Sequence, residues 1–281
     1  MKLDKRRKYY MILDCETATL PFVNEYPENA RKNIAIAKPL IYDLGYQIID
    51  RQGRVYKKVN HLITEIFSVP SVFNTAYYKE KRPIYLNLLS EGKINLTDWN
   101  TAINELLEDL EHVESVGAYN SMFDFKKAIP FTEKYIKALH TDYSDFERKQ
   151  KFACKMIVEK KNYNNNKNFD KNNFIFRGKK YPLFDVWGLA CKYVLNCNEY
   201  KELCKLNNWK SVSGNYYSTT AEKAYRFINK NNDFEEAHTA LNDSEIESKI
   251  FSKIVKKSLK NLEIGIIYFP FRILGKVEEN E

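Results

Sequence analysis

An unbroken apolar run that stops at two acidic residues is the feature that most limits how this chain can fold. Every residue from Tyr9 to Leu13 is aromatic or aliphatic, and Asp14 and Glu16 follow. A strand that is buried on both faces has such a continuous run. We therefore predict a central strand, and because residues i and i+2 of a strand lie on one side, both carboxylates can face one point while Cys15 faces the core.

The rest of the chain alternates between strand and helix patterns. The first predicted elements are a β-hairpin over residues 40–63, with its turn at 50–53, and an amphipathic helix over 97–112. A strand over 113–119 follows, and then a helix that Asn120 caps and Pro130 limits. The last predicted elements are a strand over 181–185 and helices over most of 199–257. This order predicts an α/β fold in which helices flank both faces of a mixed β-sheet.

Further candidate residues lie at the starts of two predicted helices. Asp124 falls in the first turn after Asn120. Asp243 is in helical register with Ile246 and the isoleucines that follow it, which predicts that it lies on a buried face. An ionised carboxylate there is costly unless a cation meets it. His238 precedes Asp243 by about 140° of helix rotation, so we expect it to approach from the flank.

These spacings have little specificity when each is taken alone. The pattern D-x-E occurs at Asp14, Asp109, Asp145, Asp233 and Asp243, and H-x-x-x-x-D occurs at both His140 and His238. Only Asp14 ends an apolar strand, and only His238 opens a helix with a continuous apolar face. The setting of these residues therefore supports a site, whereas the spacing does not.

Taken together and in order, three segments resemble the exonuclease motifs of the DEDDh group of 3′-5′ exonucleases. They are LDCET at 13–17, GAYNSMFDF at 117–125 and HTALNDS at 238–244. All five signature residues are present, and the resemblance extends over roughly residues 8 to 257. Thr239 stands where the tyrosine-type subgroup has tyrosine, so that subgroup fits less well. The resemblance implies a ribonuclease-H-like fold and hydrolysis at nucleic-acid 3′ ends.

The resemblance also implies roles for individual residues. Two divalent cations, Mg²⁺ or Mn²⁺, would be held by Asp14, Glu16, Asp124 and Asp243. His238 would be the general base, and we expect the surrounding acids to favour its charged form and to draw the pH optimum alkaline. The terminal nucleotide is expected to contact the backbone of Thr17 and Ala18 and the side chain of Asn120.

One segment departs from the pattern of alternating elements. Between Arg148 and Pro182 there are eleven Lys or Arg residues against two acids, and residues 162–173 are over half asparagine. Two interpretations stay open: a solvated surface loop, or a basic flap that follows a nucleic-acid backbone, with Tyr163, Phe169, Phe174 and Phe176 stacking on bases.

Composition bounds the remaining expectations. A net charge of +8 favours a polyanionic partner, and five cysteines without a C-x-x-C pair predict reduced thiols. The first apolar run is too short for a signal peptide, and residues 262–274 contain charges and proline, so we expect a cytoplasmic protein without a membrane span, in the host cytoplasm if it is viral. We expect a single exonuclease domain over 1–281, with a basic insertion at about 145–182 and a C-terminal extension from about 258.

Several functional alternatives remain open at this stage. The favoured function is a 3′-5′ exonuclease that prefers single-stranded DNA over RNA and that could act with a polymerase or a replication or repair partner. The rivals are a structure-specific endonuclease on the same fold and a catalytically silent nucleic-acid-binding module. A silent module would normally lack one of the five signature residues, and none is missing.

Overall fold

The predicted central strand lies at the centre of the sheet in the computed structural model of the chain. The structure describes residues 4, 6–22, 25, 38–141, 145–159, 170–257 and 262–277, apart from the side chains of 157–159. Strand β1 (Tyr9–Ala18) pairs antiparallel with β2 (Leu40–Asp50) and parallel with β5 (Ser115–Ala118). Its residues from Tyr9 to Leu13 are all buried. The prediction of a doubly buried strand is therefore confirmed.

The other strands extend this sheet on both sides. The predicted hairpin is formed by β2 and β3 (Val55–Ile63), and Gly53 adopts the left-handed conformation that its tight turn needs. The remaining strands are β4 (Asn95–Thr97), β6 (Asn173–Phe176) and β7 (Lys179–Asp185). Within the described residues the sheet has seven strands in the order β4-β3-β2-β1-β5-β7-β6.

Helices connect the strands and cover both faces of the sheet. They are α1 (Thr64–Phe67), α2 (Pro70–Phe73), α3 (Arg82–Ser90), α4 (Trp99–Leu110), α5 (Ser121–Phe123), α6 (Ile129–Leu139), α7 (Phe146–Glu159), α8 (Val186–Ala190), α9 (Asn198–Leu206), α10 (Ala221–Asn229) and α11 (Ala240–Lys257). Helix α4 begins where the sequence predicts, because the Asp98 carboxylate accepts a hydrogen bond from the Thr101 N–H at 3.0 Å. Among the described helices, none combines the length and apolarity needed to cross a bilayer.

Alternate residues of β1 enter two separate hydrophobic cores. Met11 and Leu13 pack in one core with Trp99 of α4, and Tyr10 and Ile12 pack in the other with the apolar face of α11. This division follows from the two-residue period of a strand. The predicted α/β fold class, a mixed β-sheet flanked by helices, is confirmed.

Two local predictions are wrong. Pro130 does not limit the helix after Asn120, because a π-helical segment (Asp124–Ala128) joins α5 to α6 and Pro130 sits in the first turn of α6, where a missing N–H costs little. Phe174 and Phe176 cannot stack on bases, because strand β6 places both in the hydrophobic core.

The described part of the basic segment is mostly regular structure in which several of the charges are paired. It includes α7, β6 and the first part of β7. Several of its basic side chains form ion pairs, among them Arg177 with Glu133, Lys179 with Glu111, and Lys180 with Asp170. Residues 160–169, including Tyr163 and Phe169, lie outside the described residues. Pairing with protein acids weakens the interpretation of this segment as a basic flap.

Glu133 of α6 should make the stability of the fold depend on acidity. Burial alone would raise its pKa, but hydrogen bonds from Arg177, Trp99 and Lys137 more than offset this and lower it from 4.5 to about 2. A depressed pKa contributes stability that is present above pH 4.5 and is lost as the pH falls towards 2. We expect Glu133→Gln to cost about 2 kcal/mol at pH 7, after allowance for solvent screening.

Urea unfolding of wild type and Glu133→Gln at pH 7 and at about pH 3 measures this effect. The difference in the free energy of unfolding between the two proteins should be smaller at the lower pH. The matched control is Glu111→Gln, which removes an exposed acid that also pairs with a lysine and should have a smaller effect. A gap of constant size across the pH range would contradict the assignment.

Candidate active site

The end of β1 presents Asp14 and Glu16 on the face of the sheet that α11 covers. Both are partly buried, whereas Cys15 between them packs in the opposite core, as the two-residue period predicts. In the ladder with β2, Asp14 lies opposite Gly45 and Glu16 lies opposite Asp43. The pairing register shifts directly after Glu16, so the two acids are the last residues of the regular ladder.

The first turn of α11 is docked tightly on β2. The Ala240 N–H donates a hydrogen bond of 2.9 Å to the Asp43 carboxylate. A Cβ atom on Gly45 would lie only 2.2 Å from the Leu241 backbone nitrogen. Glycine at this position therefore lets the helix start approach β2 closely enough to bring Asp243 to the end of β1.

Three of the predicted site residues come together at this point. Glu16, His238 and Asp243 each offer one ligand atom, and these atoms all lie within 4.8 Å of one another. The Nδ1 atom of His238 is 3.9 Å from an Asp243 oxygen, and Asp243 is buried as predicted. His238 lies two residues before the first residue of α11, so it enters from the flank rather than along the helix face. Residues from β1 and from a segment more than 200 positions later thus form one acidic cluster with a histidine.

Asp14 and Asp124 lie beside this cluster rather than in it. Asp124 is the first residue of the π-helical segment and is buried. Burial, followed by the charge of Asp14, raises the pKa of Asp124 well above its usual value. π-helical turns are rare in proteins, and those that occur are often found at functional sites. The same Asp14 charge also raises the pKa of Glu16 and of Asp243. The charge of Asp14 therefore acts both on Asp124 and on the pair formed by Glu16 and Asp243.

The acids are strongly perturbed because burial and mutual repulsion both disfavour their charges. Burial is the first cause in each case, and neighbouring carboxylates are the second. The pKa rises to about 8 for Asp14, about 10 for Glu16 and about 9 for Asp243. Such groups are costly to ionise unless a cation meets them.

The donor set fits a divalent metal ion. Asp124 Oδ1 and Asp243 Oδ1 are buried and have no hydrogen-bond partner among the described residues. Buried carboxylate oxygens are normally hydrogen-bonded, so each unpartnered one needs a reason. Carboxylate oxygens are the ligands that Mg²⁺ and Mn²⁺ prefer. A bound cation would satisfy these atoms and lower the repulsion around them.

The expected rise in the pKa of His238 is wrong. Burial of the ring, followed by the positive charge of Lys81, lowers the pKa below its usual value of 6.5. The Tyr78 ring stacks on the His238 ring at a centroid distance of 4.4 Å, and Lys81 donates a hydrogen bond to the Ala237 carbonyl. His238 is consequently held in place and uncharged at neutral pH, and the argument for an alkaline optimum fails.

Sequence reasoning missed several acids in and around the site. These are Asp43, Asp185, Glu236 and Glu247, each with a pKa raised first by burial. Two of them had a signal in the sequence. Asp43 interrupts the apolar run from Leu40 to Leu44, and Glu247 follows Asp243 by four residues on the same helix face. Both patterns place a carboxylate where burial demands a partner.

The predicted substrate contacts lie at the edges of this cluster. Thr17 and Ala18 end β1, and the Ala18 side chain is buried, so only its backbone could meet a ligand. Asn120 is exposed at the start of α5, and its side chain makes no capping hydrogen bond. Asn120 also lines a cavity beside the acidic cluster.

Comparisons with known proteins give one weak likeness. No protein-family model matches the sequence, and no curated protein matches it. One solved structure, described as 3′-end specific recognition of histone mRNA stem-loop by a 3′-exonuclease, superposes with a TM-score of 0.43 and 8% sequence identity. The match covers 90% of this chain and 84% of that chain. A likeness at this level assigns neither a family nor an activity to the chain.

Proposed function

We propose that this protein is a metal-dependent 3′-5′ exonuclease of the DEDDh group that acts on phosphodiester bonds. The observation that carries the proposal is the convergence of Glu16, His238 and Asp243 within 4.8 Å. The unpartnered oxygens of Asp124 and Asp243 support it. A buried set of carboxylates next to a neutral histidine suits hydrolysis of an anionic ester, which needs both bound cations and a proton acceptor.

Asp14, Glu16, Asp124 and Asp243 would hold two divalent cations, Mg²⁺ or Mn²⁺. When bound, these ions would lower the pKa of an attacking water and stabilise the charge on the leaving 3′ oxygen. The carboxylates of the chain would neutralise the cations and fix their positions. Asp43 contributes by anchoring the start of α11, since it accepts hydrogen bonds from the Ala240 N–H and from Asn60.

His238 would accept the proton of the attacking water on an imidazole nitrogen. Because the pKa of His238 is lowered, the imidazole is unprotonated at pH 7 and can accept a proton. The stacked Tyr78 ring and the Lys81 contact to Ala237 would keep the imidazole oriented towards the carboxylates. Thr17, Ala18 and Asn120 would contact the terminal nucleotide. The whole chain would act as one domain, with single-stranded DNA favoured over RNA.

Product analysis on labelled nucleic acids tests this proposal. The protein and its Asp14→Ala variant are incubated with Mg²⁺, Mn²⁺ or a chelator on 5′-labelled single-stranded DNA, RNA and mismatched duplexes. We expect a metal-dependent ladder that shortens from the 3′ end and is absent for the variant. Cuts within circular substrates would instead identify an endonuclease. Binding without any hydrolysis would identify a silent binding module.

Replacement of His238 by alanine should separate catalysis from metal binding. We expect the rate to fall by roughly 10²–10⁴-fold, the usual scale for loss of a general base. The rise in melting temperature caused by Mg²⁺ or Mn²⁺ should remain, because the carboxylates are intact. The control is His112→Ala, which changes an exposed histidine outside the cluster. Full activity of the His238 variant would remove the histidine from the mechanism.

A further inference from the structure

A cavity of about 460 Å³ opens beside the acidic cluster, at the ends of β5 and β7. Tyr119 and Asn120, which follow β5, form one wall, and Trp187, which follows β7, forms another. Lys210, Thr219 and Phe271 are also among the residues that line it. The Tyr119 N–H donates a hydrogen bond of 3.0 Å to the Glu247 carboxylate on α11, and the Asp124 N–H donates one of 3.3 Å to the Asn120 carbonyl. Two residues that line the cavity are therefore hydrogen-bonded to elements that carry the candidate active site.

Four of the residues that line the cavity are aromatic, and three of their rings stack on one another. The Trp187 ring is nearly parallel to Tyr119, at 6.5 Å and 21°, and to Phe271, at 6.2 Å and 27°. The Trp187 indole N–H donates to the Thr219 hydroxyl at 2.8 Å, and the Tyr119 hydroxyl donates to the Thr219 carbonyl at 2.7 Å. Because these polar atoms already have partners, the cavity offers chiefly ring surface to a ligand.

The surface next to the cavity carries an exposed ring and a cation. Phe269 is 57% exposed and has a φ of 52°, a conformation that is strained for a bulky residue. The Arg272 guanidinium lies 4.6 Å from the centre of the Phe269 ring, and Lys210 is exposed at the cavity. Exposed aromatic rings with adjacent cations suit a ligand that has both flat bases and phosphates.

We infer that this cavity binds bases of an unpaired nucleic-acid strand whose 3′ end lies in the acidic cluster. The inference rests on the proposed function and adds the place on the chain where the bases upstream of the 3′ end would bind. The volume falls within the range of ligand pockets. Stacking on Trp187 and Phe271 would hold a base, and Lys210 and Arg272 would meet the backbone. Bases that are paired in a duplex are not free to enter the cavity.

Quenching of tryptophan fluorescence tests binding independently of catalysis. The ligands are oligo(dT) and oligo(U) of about ten nucleotides, added in chelator. Among the three tryptophans, Trp99 and Trp209 are buried, so Trp187 should report the ligand. We expect quenching in the wild type and little in Trp187→Phe. An unquenched wild type, or equal quenching in the variant, would overturn the inference.

Two substrates of different length then separate the cavity from the acidic cluster. We expect Trp187→Ala and Phe271→Ala to lower kcat/KM for the oligonucleotide by roughly tenfold or more, relative to kcat/KM for the p-nitrophenyl ester of thymidine 5′-monophosphate. The ester has no upstream base. Phe146→Ala, which changes a half-exposed phenylalanine outside the cavity, should keep the wild-type ratio.

The outcomes distinguish failure of the inference from failure of the proposed function. If the wild type hydrolyses both substrates and the cavity variants keep its ratio, the inference is wrong and the nuclease assignment stands. If oligonucleotides quench Trp187 but the wild type hydrolyses neither substrate, the cavity is a strand-binding site and the proposed nuclease function is wrong. Trp187→Phe, which keeps an aromatic ring, serves as the folded reference should Trp187→Ala be unstable.

Discussion

Asp14→Asn is expected to raise the melting temperature of the metal-free protein while removing its proposed nuclease activity. Burial, followed by the charges of Glu236 and Asp43, raises the Asp14 pKa to about 8. A raised pKa means that folding favours the protonated acid, so stability is lost as the pH rises from the unfolded value of 3.8 towards 8. Asparagine cannot ionise and avoids this loss at neutral pH. A rise of at least about 1 kcal/mol in the free energy of unfolding corresponds to a rise of about 2–4 °C in the melting temperature.

The same substitution should eliminate catalysis, because one carboxylate of the proposed metal site is lost. We expect a fall in rate of roughly 10²–10³-fold or more, the scale for removing a group that stabilises charge in a transition state. Addition of Mg²⁺ or Mn²⁺ should raise the wild-type melting temperature and have a smaller effect on the variant. A variant that is more stable but less active is expected where a functional residue reduces the stability of the fold.

Calorimetry or dichroism with and without chelator, together with the nuclease assay, measures both effects. The matched control is Asp109→Asn, which changes a buried aspartate outside the site. Asp109 accepts hydrogen bonds from Tyr46 and Lys57 at 2.7 and 2.6 Å, so its loss should lower stability and spare activity. A metal-free Asp14→Asn protein that melts below the wild type would contradict the account of charge repulsion.

Gly45→Ala is expected to destabilise the fold and disrupt the site together. The added Cβ would lie 2.2 Å from the Leu241 nitrogen and 2.3 Å from the Ala240 carbonyl carbon. Both are backbone atoms, so no side-chain rotation can relieve the clash, and the start of α11 must move away from β2. Overpacking of this kind costs about 3 kcal/mol or more. The displaced helix carries Asp243 and His238 with it.

Urea unfolding and the metal-induced rise in melting temperature test the Gly45 prediction. Both the midpoint and the response to Mn²⁺ should fall. Gly92→Ala is the control: it has open space around its Cβ position, and its positive φ should cost only about 1 kcal/mol. Its response to metal should be normal. A Gly45→Ala protein that keeps wild-type stability would show that α11 does not depend on close contact at β2.

The parts of the site that sequence alone predicted are those with a local pattern. The apolar run before Asp14 predicts a buried strand, and its two-residue period separates Asp14 and Glu16 from Cys15. The apolar spacing after Asp243 predicts that this acid is buried. These inferences need only the periods of a strand and a helix, which are set by backbone geometry.

Long-range contacts decided what sequence reasoning missed or mistook. Asp43 joins the site because β2 pairs with β1 in one register, which no local period specifies. The pKa of His238 falls rather than rises, since burial and Lys81 outweigh the nearby acids. Phe174 belongs to the core, whereas Trp187 and Phe271 form an aromatic cavity beside Asn120.

The amino-acid sequence by itself determined the mixed sheet, the helix that carries Asp243 and the residues from which a metal site could be built. Tertiary structure alone decided which acids meet, which histidine nitrogen faces them and which aromatic rings face solvent. The physical reason is that hydrophobic periodicity acts along neighbouring residues, whereas burial, charge coupling and ring stacking depend on elements brought together across the chain.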